Sequence, residues 1–66
     1  MPIDQLKVLR KQANFSQEYL GGELEISQST YNKKENGIIP FSLEEIKELK
    51  TILNLDNRQI INIFLD

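Results

Sequence analysis

Apolar positions fall along the chain in short stretches at helical spacing, each bracketed by residues that start or stop a helix. Pro2 suits a first turn, where its missing amide hydrogen is not needed, and Ile3, Leu6, Leu9 and Ala13 then recur on one side until Asn14 ends the run. Ser16 is an N-cap type residue, and Leu20 and Leu24 follow it on a shared face. Ser27 opens a third stretch that carries Tyr31 and closes at Asn36-Gly37, a dipeptide suited to the left-handed conformation that ends helices. The residue before Pro40 is biased away from helical geometry, so Ile38-Ile39-Pro40-Phe41 is expected to be a loop with an apolar plug. Ser42 and Glu45 form a capping box for a fourth helix with Leu43, Ile46, Leu49, Lys50 and Leu53 along one stripe, stopped at Asn54. Asp56 to Gln59 repeats that logic and opens a last helix toward Phe64. The expected fold is all-α, a compact five-helix bundle in one domain, residues 1–66.

The second and third stretches are separated by a turn around Ile26 too tight for parallel helices, which predicts a helix-turn-helix over Ser16 to Gly37. The third helix is poor in apolar residues. Beyond Tyr31 it presents Gln28, Ser29, Asn32 and Lys33, a short-armed, polar and weakly basic face of the kind that meets base edges and phosphates. A polar helix face is also the ordinary solvated surface of a small protein, so composition alone does not decide between the two.

The run SQEYLGGELEISQSTYNKKENG resembles the helix-turn-helix domains of the phage repressor and Cro type, which carry SQ-x-x-L, a small residue, then L-x-I-S-x-S-T and ENG in this order. The resemblance covers the whole chain and is most specific over residues 16 to 37. It implies a lambda-repressor-like bundle whose third helix enters the DNA major groove. By that likeness Gln28, Ser29, Asn32 and Lys33 are the expected base-reading residues, with Gln28 suited to adenine and Lys33 suited equally to guanine or to phosphate. Gln17, Ser27 and Asn36 match positions that reach the sugar-phosphate backbone, whereas Lys34 departs from the pattern at a place that is often aliphatic; its stem is expected to cover apolar surface while the ammonium snorkels out to solvent or phosphate. Arg10 and Glu35 match a structural ion pair between the first helix and the end of the third. Two further departures stand out: Gly21 stands where the family prefers alanine, and Gly21-Gly22 softens the second helix, while Glu25 occupies a turn position where the family usually has glycine, so it is expected at positive φ.

Charge complicates the picture. The net charge is −2 and the pI near 5.0, against the basic footprint common among nucleic-acid binders. Residues 1 to 37 balance at zero, however, and the acidic excess lies in residues 38 to 66. Lys7, Arg10 and Lys11 are expected to form a basic edge on the first helix. Histidine and cysteine are absent, which removes imidazole and thiolate chemistry and argues against a transition-metal site. Glu44, Glu45 and Glu48 read as capping and surface charge, so no catalytic residue, cofactor, metal or small-molecule substrate is expected. No run is apolar enough to span a membrane and no signal peptide is evident, which points to a cytoplasmic protein. The last helix carries more apolar residues than one small core can take, and the resemblance implies a homodimer through Ile61, Phe64 and Leu65. Double-stranded DNA is the expected partner of a sequence-specific transcriptional regulator of phage or mobile-element type. The alternative is a protein-interaction module of the same fold, an antitoxin or antirepressor, using the acidic second half and the apolar terminus.

Overall fold

The computed structural model describes residues 1–65. Among them the chain forms α1 (Asp4–Gln12), α2 (Gln17–Glu23), α3 (Gln28–Glu35), α4 (Leu43–Ile52) and α5 (Asn57–Ile60), with a π-helical segment Ile61–Leu65 continuing from α5. The fold is an all-helical bundle, and α2 and α3 make the helix-turn-helix.

One local device recurs at both ends of the helices. Ser16, Ser27, Ser42 and Asp56 each sit in extended geometry and accept the backbone N–H of the residue three positions on. Glu45 and Gln59 return the bond to complete capping boxes. At the C-termini, Asn14, Glu25, Gly37 and Asn54 take positive φ of 63°, 60°, 78° and 53°. The N–H of the following residue then reaches back to a carbonyl of the last turn, as Phe15 does to Arg10, Ile26 to Gly21, Ile38 to Lys33 and Leu55 to Lys50. Each reversal is followed by an apolar residue. Phe15, Ile26 and Leu55 turn into the core, whereas Ile38 stays exposed. Glu25 has neither the freedom of glycine nor the short amide of asparagine, so its left-handed geometry is strained.

The core is built from Leu6, Leu20, Leu24, Tyr31, Leu49, Leu55 and Ile63. Phe41 ties the second half to the first: its ring meets Tyr31 edge-on at 5.9 Å and Phe64 at 5.6 Å. Several expectations are corrected here. Leu43 is 68% exposed, because α4 packs on the core through Leu49 with Ile52 and Leu53, and Leu43 at the first helical position projects beyond the core. Ile38 and Ile39 are exposed, leaving Phe41 as the residue that plugs the loop. Ala13 is exposed, and Arg10 is buried, so it does not belong to a basic edge with Lys7 and Lys11. The last regular helix is a single turn before the π-helical segment, which widens the spiral and brings Ile63 inward.

The two adjacent glycines are not equivalent. A Cβ on Gly21 would stand 3.2 Å from the Ile26 carbonyl oxygen, so this position carries the close approach of α2 to the turn. A Cβ on Gly22 would meet nothing within 4 Å. Gly22→Ala should therefore stabilise the fold by about 0.5–1 kcal/mol through helix propensity. Glu25→Gly, the opposite exchange, should also stabilise by about 0.5–1 kcal/mol by relieving the positive φ. Thermal unfolding should show both midpoints raised by roughly 3–6 °C; a lowered midpoint for either would contradict the corresponding assignment.

Candidate nucleic-acid interface

Glu35, the last residue of α3, is the fixed point of the helix-turn-helix. Its carboxylate accepts four hydrogen bonds: Arg10 Nε at 2.9 Å and Tyr31 Oη at 2.7 Å on Oε2, and Arg10 Nη2 at 3.1 Å and Gln17 Nε2 at 3.1 Å on Oε1. Arg10 spends a further N–H on the Phe15 carbonyl at 2.8 Å. The Arg10 and Glu35 side chains are 8% and 0% exposed, so this is a bidentate, buried pair. Four donors match the acceptor capacity of one carboxylate, and among the described residues no buried side-chain polar atom lacks a partner. The cluster joins α1 through Arg10, α2 through Gln17 and α3 through Tyr31 and Glu35.

The charges follow from this geometry. Burial pushes the Glu35 carboxyl upward, but the hydrogen bonds from Arg10, Tyr31 and Gln17 with the Arg10 charge outweigh it, and the group titrates below the ordinary glutamate range. The bond to Glu35 raises Arg10, and burial together with that same carboxylate pushes the Tyr31 hydroxyl up. Because the folded Glu35 holds its proton less tightly than the unfolded one, its stabilising contribution is complete above the unfolded pKa. It is lost as pH falls through the folded value.

The opposite face of α3 is open. Gln28, Ser29, Asn32 and Lys33 are all exposed; Ser29 and Lys33 lie on the side away from Tyr31 and Glu35, Asn32 flanks them, and Gln28 shares their face one turn nearer the helix start. Ser27 is exposed but its hydroxyl is engaged, accepting from the Thr30 amide at 3.1 Å and donating to Thr30 Oγ1 at 2.9 Å. Gln17 is half-buried and bonded to Glu35 and Asn32; Asn36 is exposed and donates to Asn32. Lys34 corrects the expectation of an outward ammonium. Its side chain is only 12% exposed, and Nζ is held by both Glu45 oxygens at 2.6 and 2.7 Å beside the Phe41 ring. In this fold the Lys34 ammonium is paired with Glu45 at the α4 N-terminus. Burial raises the Glu45 carboxyl, but Lys34 and the Ser42 amide overcome this and leave it below its ordinary value.

The sequence model of a helix-turn-helix family matches residues 6–56, from the buried Leu6 to the α5 cap Asp56. The chain belongs to that family, the lambda-repressor-like helix-turn-helix proteins. It is a DNA-binding helix-turn-helix regulator in the general sense of the family. No curated protein and no solved structure matches the chain. Among the described residues no group of His, Cys, Asp or Glu side chains could hold a metal ion, and no helix is long and apolar enough to cross a membrane.

Sequence reasoning missed three polar roles in this helix-turn-helix: the Tyr31 hydroxyl on Glu35, the Gln17 amide on the same carboxylate, and the Lys34–Glu45 pair. The first was available from the four-residue spacing of Tyr31 and Glu35, which places both on one helix face. The other two join different helices and carry no local signal. Arg10→Met should cost about 3–5 kcal/mol by leaving Glu35 buried without its cation. Tyr31→Phe should cost about 1.5–3 kcal/mol by removing one bond to a charged acceptor. Urea unfolding measures both, and values within about 0.5 kcal/mol of the parent, as for ordinary surface substitutions, would contradict the role given to the cluster.

Proposed function

We propose that the chain is a sequence-specific transcriptional regulator of the phage or mobile-element repressor type, which occupies an operator by laying α3 in the major groove. The observation that carries this reading is the division of α3 into an anchored face, Tyr31 and Glu35, and an outward face, Gln28, Ser29, Asn32 and Lys33, that nothing within the fold covers. Gln28 at the start of the helix has the reach and the paired donor and acceptor to recognise adenine, and Lys33 donates to guanine or to phosphate. Ser27, Asn36 and the free N–H of Gln17 set the register on the backbone. With Lys34 neutralised by Glu45 and the acidic excess confined to residues 38 to 66, few phosphates are engaged by each chain. Binding to two half-sites then supplies the missing affinity.

Support for a homodimer comes from the C-terminal end. Ile61 and Leu65 are 53% and 71% exposed, an unusual position for such residues, while Phe64 is half-buried against Phe41 and contributes only its outer edge. A two-fold dimer through these residues would set the two α3 helices about one DNA turn apart, ~34 Å, on a near-palindromic operator. Exposure of Leu43 and Ile38, both within the acidic second half, supports the second reading, a protein-interaction module of antitoxin or antirepressor type.

Gln28→Ala should cost about 1–3 kcal/mol at one base pair and relax preference there, measured by binding to systematic operator variants; equal loss on every duplex would remove the base-reading role. Affinity for the selected operator should fall steeply with added salt, whereas salt-insensitive capture of a single protein would favour the interaction module. Sedimentation at tens of micromolar should show a dimer that Leu65→Glu dissociates; a monomer with and without operator DNA would contradict the two-fold arrangement.

A further inference from the structure

A one-way chain of three amides crosses the α2–α3 junction. Asn36 Nδ2 donates to Asn32 Oδ1 at 3.2 Å, Asn32 Nδ2 donates to Gln17 Oε1 at 3.2 Å, and Gln17 Nε2 donates to Glu35 Oε1 at 3.1 Å. The direction is dictated from inside. An ionised carboxylate has no proton to give, so Gln17 must turn its NH2 toward Glu35 and its carbonyl outward. Asn32, facing that carbonyl, must answer with its own NH2, which leaves Oδ1 toward Asn36. A buried charge on the inner face of α3 thus fixes the sense of an amide on its outer face.

The consequence lies in what Asn32 has left to offer. One N–H and one Oδ1 lone pair remain unused, and they are held in a set orientation. That pair complements the N7 acceptor and N6 donor of adenine in the major groove; guanine presents two acceptors there and would set O6 against Oδ1. Gln28, by contrast, makes no side-chain hydrogen bond among the described residues and must lose its rotamer freedom on binding, whereas Asn32 is held by two side-chain hydrogen bonds. On the major-groove reading above, we infer that Asn32 reads an adenine, with Gln17 as its positioning residue and Glu35 setting the sense of both amides.

Selection of bound fragments from random duplex DNA, carried out with the parent chain, Asn32→Ala and Gln17→Met, tests this. The parent should enrich a site in which replacing one A·T pair by G·C weakens binding about 5- to 150-fold. Both variants should lose the preference at that pair and keep the one assigned to Gln28. If Gln17→Met retains the adenine and only weakens binding to all sequences alike, Gln17 acts through the phosphate backbone alone, has no part in orienting Asn32, and the inference is overturned. A parent chain that enriches no sequence overturns the operator reading itself, a distinguishable result. Side-chain amide relaxation in the free parent protein keeps the inference falsifiable even if Gln17→Met does not fold. The Asn32 NH2 should be markedly more ordered than that of Gln28, and equal mobility would overturn the positioning role.

Discussion

The buried Glu35 carboxylate is the constraint on which the arrangement of the first three helices depends. A helix with a polar outer face has little apolar surface left with which to hold itself in place, and α3 buries only one large hydrophobic residue, Tyr31. Glu35 makes up the difference with directional bonds. Its four donors come from three helices, so their relative placement is specified by hydrogen-bond geometry and not only by the shape of a small core. A buried charge is costly when unpaired, and that cost makes the cluster selective: an arrangement that drops one donor is penalised more than one that shifts a methyl group.

Around this cluster the fold is assembled from short-range signals. Four side-chain caps and four left-handed stops divide the described chain into helices, and three of the four apolar residues that follow the stops close the core. These were legible in the sequence because each involves residues three to five positions apart. Ser16, Ser27, Ser42 and Asp56, and the stops at Asn14, Gly37 and Asn54, could be placed without knowledge of the fold, and Glu25 could be marked as strained. What escaped was the choice between neighbouring faces. Leu43 lies one turn before Ile46 and fits the same periodic stripe on paper, but α4 begins at Leu43 and its first turn projects beyond the core. In the last helix, regular spacing could not anticipate a π-helical segment that buries Ile63 while leaving Ile61 and Leu65 outside.

The candidate site shows the same division. The outward residues of α3 could be named from the sequence because polarity and spacing suffice to mark a face. Their connection to the interior could not, since Gln17 and Glu35 are 18 residues apart and Lys34 and Glu45 are 11 apart. Arg10 illustrates the difficulty most plainly: helical periodicity assigns it to a basic edge with Lys7 and Lys11, and only the resemblance to other helix-turn-helix domains paired it with Glu35. The Lys34–Glu45 bridge also bears on the low pI. It pairs one of the cations of α3 within the fold.

The most direct test of the central claim is an NMR titration of the Glu35 side-chain carboxyl, followed together with the chemical shifts that report α1, α2 and α3 packing. The account predicts a midpoint clearly below the ordinary glutamate value of 4.5, with protonation accompanied by loss of the packing of α1 and α2 on α3. A midpoint at or above that value, with the three helices still packed, would show that the carboxylate is not what holds them.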